Sequence, residues 1–263
     1  MGNICCCTYE NDSDSPQSTI RSPLLGSQTL NPHYTQTDYQ SARQYNPRED
    51  MRPFEKHTDS LTLFEMTTVP VTSIDTQFKD QAKLYNDAVD AYKHLQLEIH
   101  NLKRYFLVET RGIPELKKCL QILASRCDVA RITIKRKSMT LIEVYYDEQH
   151  VSETCTVTPE RVLEPLRHYK NAFKHVHDAL HYMPELKENI SVIINDEKAM
   201  LRETIEVDPM RDGGVEGMRA ITSNIRKLKQ MNLNVCDVEG RAQKTFNELV
   251  EASRYVVPDI SEC

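Results

Sequence analysis

Residues 75–106, DTQFKDQAKLYNDAVDAYKHLQLEIHNLKRYF, decide the class of fold. Phe78, Ala82, Tyr85, Val89, Tyr92, Leu95, Ile99, Leu102 and Phe106 recur at spacings of three and four. That period places them on one face of a helix of about 35 residues, about 50 Å long. Arg111-Gly112-Ile113-Pro114 interrupts it, and Pro114 suits the first turn of a second helix carrying Leu116, Leu120, Leu123 and Cys127 on one side. Thr158-Pro159-Glu160 reads as a further helix start, with Pro165 delaying it, and Val162, Leu166, Tyr169, Phe173, Val176, Leu180 and Met183 follow at the same spacings. Pro184 breaks that pattern, which Leu186, Ile190, Ile193 and Leu201 continue. Residues 208–214 read as a loop, and a last helix carries Met218, Ile221, Ile225, Leu228, Val235, Val238, Phe246 and Leu249. Stripes of this kind bury themselves against one another, so residues 75–255 are expected to form a mainly α, elongated antiparallel helical bundle or coiled coil, with 256–263 as a short tail.

One segment is ambiguous. Between 129 and 157, Ile132, Ile134, Ile142, Val144 and Tyr146 alternate as in a β-hairpin, yet no Gly, Pro or Asn lies between Glu115 and Thr158 to make a tight turn. The reading favoured here is continuous helix, with the hairpin as the alternative.

Residues 10–74 have the opposite character. They are rich in Ser, Thr, Gln, Asn, Asp and Pro and show no periodicity, so a disordered tether is expected. A coil of about 65 residues spans on the order of 45 Å root-mean-square. Tyr9-Glu10-Asn11, Ser15-Pro16 and Ser22-Pro23 are short matches to phosphorylation motifs within it.

The chain opens Met1-Gly2-Asn3-Ile4-Cys5-Cys6-Cys7. Loss of Met1 exposes the Gly2 amine required for N-myristoylation, although Cys6 stands where Ser or Thr is usual. One myristoyl chain holds a membrane only marginally, so a second signal is needed. Residues 1–50 carry Arg21, Arg43 and Arg48 against Glu10, Asp12, Asp14, Asp38, Glu49 and Asp50, a net −3, so it is not polybasic. Palmitoylation of Cys5, Cys6 and Cys7 is therefore the expected partner, making residues 1–9 an acylated anchor. This acylation site, followed by Glu10-Asn11-Asp12-Ser13-Asp14, the Leu24-Leu25 pair and a polar tether through Ser41-Ala42-Arg43, resembles the start of the lipidated membrane-anchor subunit of the Ragulator complex. The resemblance covers about the first fifth of the chain. It implies late-endosomal or lysosomal anchoring and the scaffolding of signalling proteins, although Ile20 occupies the place of the acidic residue that a dileucine sorting signal carries four positions earlier.

Composition agrees with a peripheral protein. The chain has 263 residues, 39% apolar and 27% charged, with net charge −6, no run of about 18 apolar residues and no secretory leader pattern. Mild acidity argues against a nucleic-acid partner. One basic block departs from this average. Residues 103–137 hold Lys103, Arg104, Arg111, Lys117, Lys118, Arg126, Arg131, Lys135, Arg136 and Lys137 against three carboxylates, net +7, and residues 143–164 reverse to −5. On one face, Lys103, Arg104, Lys117, Lys118, Arg131, Lys135, Arg136 and Lys137 would contact anionic lipid, as in a BAR-like module. A solvated face paired with the acidic block is the alternative.

No phosphate loop, nucleophile elbow, zinc-protease helix or Cys-x-x-Cys occurs, so neither enzymatic activity nor a cofactor is expected. His168, His175, His177 and His181 lack a third ligand fixed in sequence and read as surface histidines, not a metal site. Asp212-Gly213-Gly214-Val215-Glu216-Gly217 lacks the dinucleotide pattern and reads as a helix connection. Cys119 and Cys127 read as small apolar core residues. Ser261-Glu262-Cys263 lacks the prenylation pattern. The expected function is a lipid-anchored adaptor or scaffold on the cytoplasmic face of the plasma membrane or an endosome or lysosome. It would bind membrane lipids and, through its bundle, protein partners, with a homodimer open to such stripes. The alternative is the BAR-like module.

Overall fold

A computed structural model describes residues 61–112, 114–207, 212–257 and 261–262. The acylation residues Gly2, Cys5, Cys6 and Cys7, the tether up to residue 60, and Asp208 to Arg211 lie outside the described residues. What is described is mainly α-helical, as the periodicity predicts.

Helix α1 spans Thr72–Arg104, and the nine apolar positions named above, Phe106 included, are all buried. A one-turn helix α2 (Leu107–Thr110) ends at Arg111, whose φ of 54° is left-handed. Helix α3 (Leu116–Arg126) buries Leu116, Cys119, Leu120 and Leu123. Helices α5 (Glu160–His181), α6 (Met183–Asn195) and α7 (Glu197–Val207) follow one another almost without gaps, and α8 runs for 42 residues from Asp212 to Ser253.

Contacts fix the directions. Glu98 meets His168 and His94 stacks on His175, so α1 and α5 are antiparallel. Tyr169 bonds Ser253 and Phe173 packs on Phe246, so α5 and α8 are antiparallel too. Lys187 pairs with Glu239 at 2.5 Å, and Glu197 with Lys229 at 3.8 Å, continuing the descent along α8 through α6 and α7. The body is thus three limbs: α1 and α8 parallel, and a segmented return limb made by α5, α6 and α7. Pro184 sets the first break in that limb, where its ring fits the first turn of α6.

Pro165 does not delay α5 but lies inside it, five residues from its start. A proline there removes the N–H that would bond the Arg161 carbonyl. The guanidinium of Arg126 fills that vacancy, donating Nη1–H to the Arg161 oxygen at 3.1 Å.

Three further expectations are corrected. First, residues 129–157 are not a continuous helix. A 3₁₀ turn (Val129–Arg131) leads into strands β1 (Thr133–Arg136) and β2 (Ile142–Tyr145), then helix α4 (Glu148–Thr154). The strands pair antiparallel, with Ile134 opposite Val144, and their buried face (Ile134, Ile142, Val144) packs towards α5. The turn needs no Gly or Asn because none of its residues has a positive φ, and the Lys137 N–H closes it on the Leu141 carbonyl at 2.9 Å while side chains add further bonds. Leu141 N–H donates to Ser138 Oγ (3.1 Å), and Arg136 donates through Nε and Nη2 to the Ser138 and Met139 carbonyls (3.4 and 3.1 Å).

Second, the tether does not extend to residue 74. Residues 61–71 lie extended along α1 and α8, with Leu61, Met66, Val69 and Val71 buried. Two amides hold this strap. Asn86 accepts the Phe64 N–H and donates to its carbonyl, both at 2.9 Å, and Asn224 does the same for Thr67 at 2.8 and 2.7 Å. Each asparagine thus acts as a strand neighbour would, so the strap forms no ladder yet keeps its backbone paired. Third, Gly213 and Gly214 belong to α8, not to a loop, and the tail adds a strand β3 (Ser261–Glu262) parallel to β1.

At the foot of the bundle α7 approaches α8 closely. A Cβ on Gly217 would lie 2.5 Å from the Thr204 methyl and 3.1 Å from Pro70.

Candidate functional site

The basic block of the sequence separates into two groups. Arg126 meets Arg161 near the start of α5, whereas Thr140, at the hairpin turn, meets His177 at 3.1 Å near its end. Those two points are about 24 Å apart at 1.5 Å rise per residue.

The first group sits around the end of α1 and α3. Lys103 and Lys117 line a cleft of about 350 Å³ together with Glu115, Glu248 and Glu251, so carboxylates of the protein itself face them. The Lys117 ammonium lies 5.1 Å from the Tyr255 ring centre, and the Tyr255 hydroxyl, followed by the nearby glutamates, raises its pKa above the ordinary lysine value. Lys118 is exposed on α3. Arg104 borders a second cleft, about 440 Å³, with Asn101, Tyr105 and His168. Arg126 is a core residue, 6% exposed; besides Arg161 it pairs with Glu109 and lies 4.9 Å from the Phe106 ring centre. Counting charges along the chain could not separate it from the surface cations.

The second group is the hairpin. Arg131 is exposed at the end of the 3₁₀ turn and Lys137 is exposed beside the β-turn. Lys135 lies 5.7 Å from the Tyr145 ring centre and opposite Glu143 in the sheet. Arg136 is occupied with the turn carbonyls described above. At the apex Met139 is 85% exposed.

The histidines are less superficial than the sequence suggests. His168 bonds Glu98 at 2.5 Å, and His177 and His181 face each other with ring centres 5.1 Å apart. Burial, then the charge of a neighbouring histidine, lowers the pKa of His175 (beside His94) and of His177 (beside His181) below the usual 6.5. Among the described residues no group of three or more His, Cys, Asp or Glu side chains could hold a metal ion. Burial pushes the Cys119 thiol up to about 12, which keeps it protonated and inert, as expected of a core cysteine.

The strap was missed because its signal is not a helical period. Leu61, Leu63, Phe64, Met66, Val69 and Val71 give 61–71 an apolar density unlike the polar chain before it, and that composition was the available cue.

No described helix is long and apolar enough to cross a membrane. No protein-family model, curated protein or solved structure matches the chain.

Proposed function

We propose that the protein is a peripheral membrane adaptor, anchored by a myristoyl group on Gly2 and palmitoyl groups on Cys5, Cys6 and Cys7, whose helical body binds other proteins at a cytoplasmic membrane face. The observation that carries the reading is the start itself. An acylatable glycine and three adjacent cysteines stand before a net −3 segment, which supplies no electrostatic alternative for the second signal. The resemblance of residues 1–50 to the Ragulator anchor favours a late-endosomal or lysosomal membrane over the plasma membrane. For the adaptor role, the supporting feature is apolar surface left on the outer sides of the limbs: Val192 on α6, Val207 on α7 and Leu233 on α8 are all more than half exposed.

Membrane fractionation tests the anchor. Gly2→Ala, and the triple change of Cys5, Cys6 and Cys7 to Ser, should each release the protein to the soluble fraction. Full retention of both variants refutes the acyl anchor. Affinity capture that recovers a stoichiometric partner supports the adaptor role; a measured turnover without such a partner would overturn it in favour of an enzyme.

The alternative, a BAR-like body binding anionic or curved membrane through residues 103–137, needs those cations on one continuous face. Lys103 and Lys117 face the protein's own glutamates, so what favours direct lipid contact is narrower and lies in the hairpin.

A further inference from the structure

We propose that the β1–β2 hairpin is a membrane-contact element. Met139 at its apex would enter the headgroup region of an anionic leaflet, while Lys137 and Lys135 bind lipid phosphates and carboxylates behind it. This rests on the peripheral membrane reading and deepens it.

Two features of the hairpin meet at one place, and a third comes from the expected anchor. Its apex is apolar and open: Met139 shares with Val108 the highest exposure, 85%, among the large hydrophobic residues described. Exposing a thioether side chain to that extent gains nothing for the fold, and the bonds of the turn show that the exposure is held and not incidental. The Arg136 guanidinium grips the carbonyls of Ser138 and Met139 from below, Ser138 Oγ accepts the Leu141 N–H, and Lys137 N–H bonds the Leu141 carbonyl at 2.9 Å. Thr140 fastens the turn to His177. A tip fixed in this way gives up little conformational entropy on docking.

The second feature is charge. From Arg131 to Ile142 there are four cations and no carboxylate, and the first acid beyond, Glu143, stands opposite Lys135 and accepts the Tyr145 hydroxyl. Lys170 of α5, 5.8 Å from the Tyr146 ring centre, adds a cation at the base of the hairpin. Arg136 is spent on the turn, so Lys137 and, opposite Glu143, Lys135 are the cations nearest the apex, with Arg131 and Lys170 at the base of the hairpin. An apolar apex backed by cations is complementary to a surface that is apolar beneath and negative above, which describes an anionic leaflet.

The third feature is the expected anchor. Acyl chains would hold the protein at the membrane, so the hairpin need only be weak on its own. An intramolecular second contact gains from effective concentration and orients the body.

The chain contains no tryptophan, so Met139→Trp introduces a single fluorescent reporter at the apex. The full chain, made without acylation, is mixed with vesicles of phosphatidylcholine alone or with 30% phosphatidylserine. The expected result is a blue shift and quenching by brominated lipid on the anionic vesicles only, reversed at high salt. Leu233→Trp on α8 should show neither. Lys135→Glu combined with Lys137→Glu should lower vesicle partitioning of the otherwise unchanged chain at least about 25-fold, with helical circular dichroism retained. A Met139→Trp spectrum that does not respond to anionic vesicles overturns the proposal, as does an equal response from Leu233→Trp. Because the assay omits the acyl groups, its failure leaves the Gly2→Ala fractionation result standing, and failure of that fractionation leaves this one standing.

Discussion

Removing the Arg126 guanidinium should destabilise the body by about 3 kcal/mol, and part of that cost should disappear when Pro165 is also replaced. Arg126→Met keeps most of the buried methylene volume and deletes three interactions. The ion pair is with Glu109, whose side chain is 31% exposed and keeps the Arg161 guanidinium at 3.7 Å, so the loss is about 1 kcal/mol. The contact with the Phe106 ring contributes about another 1 kcal/mol. The Arg161 carbonyl, deprived of its donor inside a helix that already lacks the Pro165 N–H, costs about 1 kcal/mol more. For a body of this size about 3 kcal/mol lowers the melting temperature by about 6–12 °C. The discriminating measurement is a double-mutant cycle by urea denaturation. In Pro165→Ala the restored amide N–H bonds the Arg161 carbonyl, so Arg126→Met should cost about 1 kcal/mol less in that background than in the wild type. If the two changes add within about 0.3 kcal/mol, the guanidinium is not standing in for the missing helix bond and the reasoning fails.

Two glycines of α8 should respond with opposite signs. Gly217→Ala drives a methyl into Thr204, whose rotamer is held by a bond to the Met200 carbonyl, and should cost about 1–3 kcal/mol. Gly240→Ala meets nothing within 4 Å and should stabilise by up to about 1 kcal/mol; equal effects in thermal melts would contradict the close packing at Gly217. Asn224→Ala, at a fully buried position, strips both bonds from Thr67 and should cost about 2–4 kcal/mol, with limited proteolysis appearing first in 61–71; cleavage starting elsewhere would show that the amide does not hold the strap. His175 and His177 bind protons less readily folded than unfolded, so their contribution to stability is full above the ordinary value of about 6.5 and is lost as pH falls through their lowered folded values. Melting temperatures at pH 7.5 and 5.5 should therefore differ less in the His175→Gln, His177→Gln double variant; an unchanged difference would contradict this.

How far the fold can be read from the residues depends on which interactions carry it. Helices α1, α5 and α8 were legible because burial repeats at the helical period: the nine positions named between Phe78 and Phe106 and the seven between Val162 and Met183 are all core, and of the eight named on α8 only Met218 is not. The hairpin was misread because turn chemistry was sought in backbone-permissive residues. Here a longer turn, closed by the Lys137 N–H on the Leu141 carbonyl with no residue at positive φ, does without them, and Ser138 and Arg136 add side-chain bonds. The strap was misplaced because an extended segment between two helices has no period, and the two asparagines that pair its backbone lie 22 and 157 residues away in sequence. The basic block was legible as composition but not as geometry. Arg126 counts as +1 in the sequence, yet in the fold it is a buried donor; Lys117, though exposed, lies over the Tyr255 ring beside Glu115, Glu248 and Glu251.

The strap also has a mechanical consequence. Any pull transmitted through the chain before Leu61 enters the body at the level of Tyr85 and meets the attachments in a fixed order: the Thr62 carbonyl on Tyr85, then Phe64 on Asn86, then Thr67 on Asn224. These fasteners lie in sequence along a segment that runs opposite to α1, so a load directed across the bundle or back towards its foot peels them one at a time at low force, whereas a load directed up the bundle runs along the strap and shears them together. Released as far as Val71, the segment would add about 36 Å of chain ahead of the bundle, at about 3.3 Å per residue, while leaving all three limbs paired. If the proposed acyl anchor ties the body to a membrane, the strap is slack held in reserve, paid out before any helix is strained.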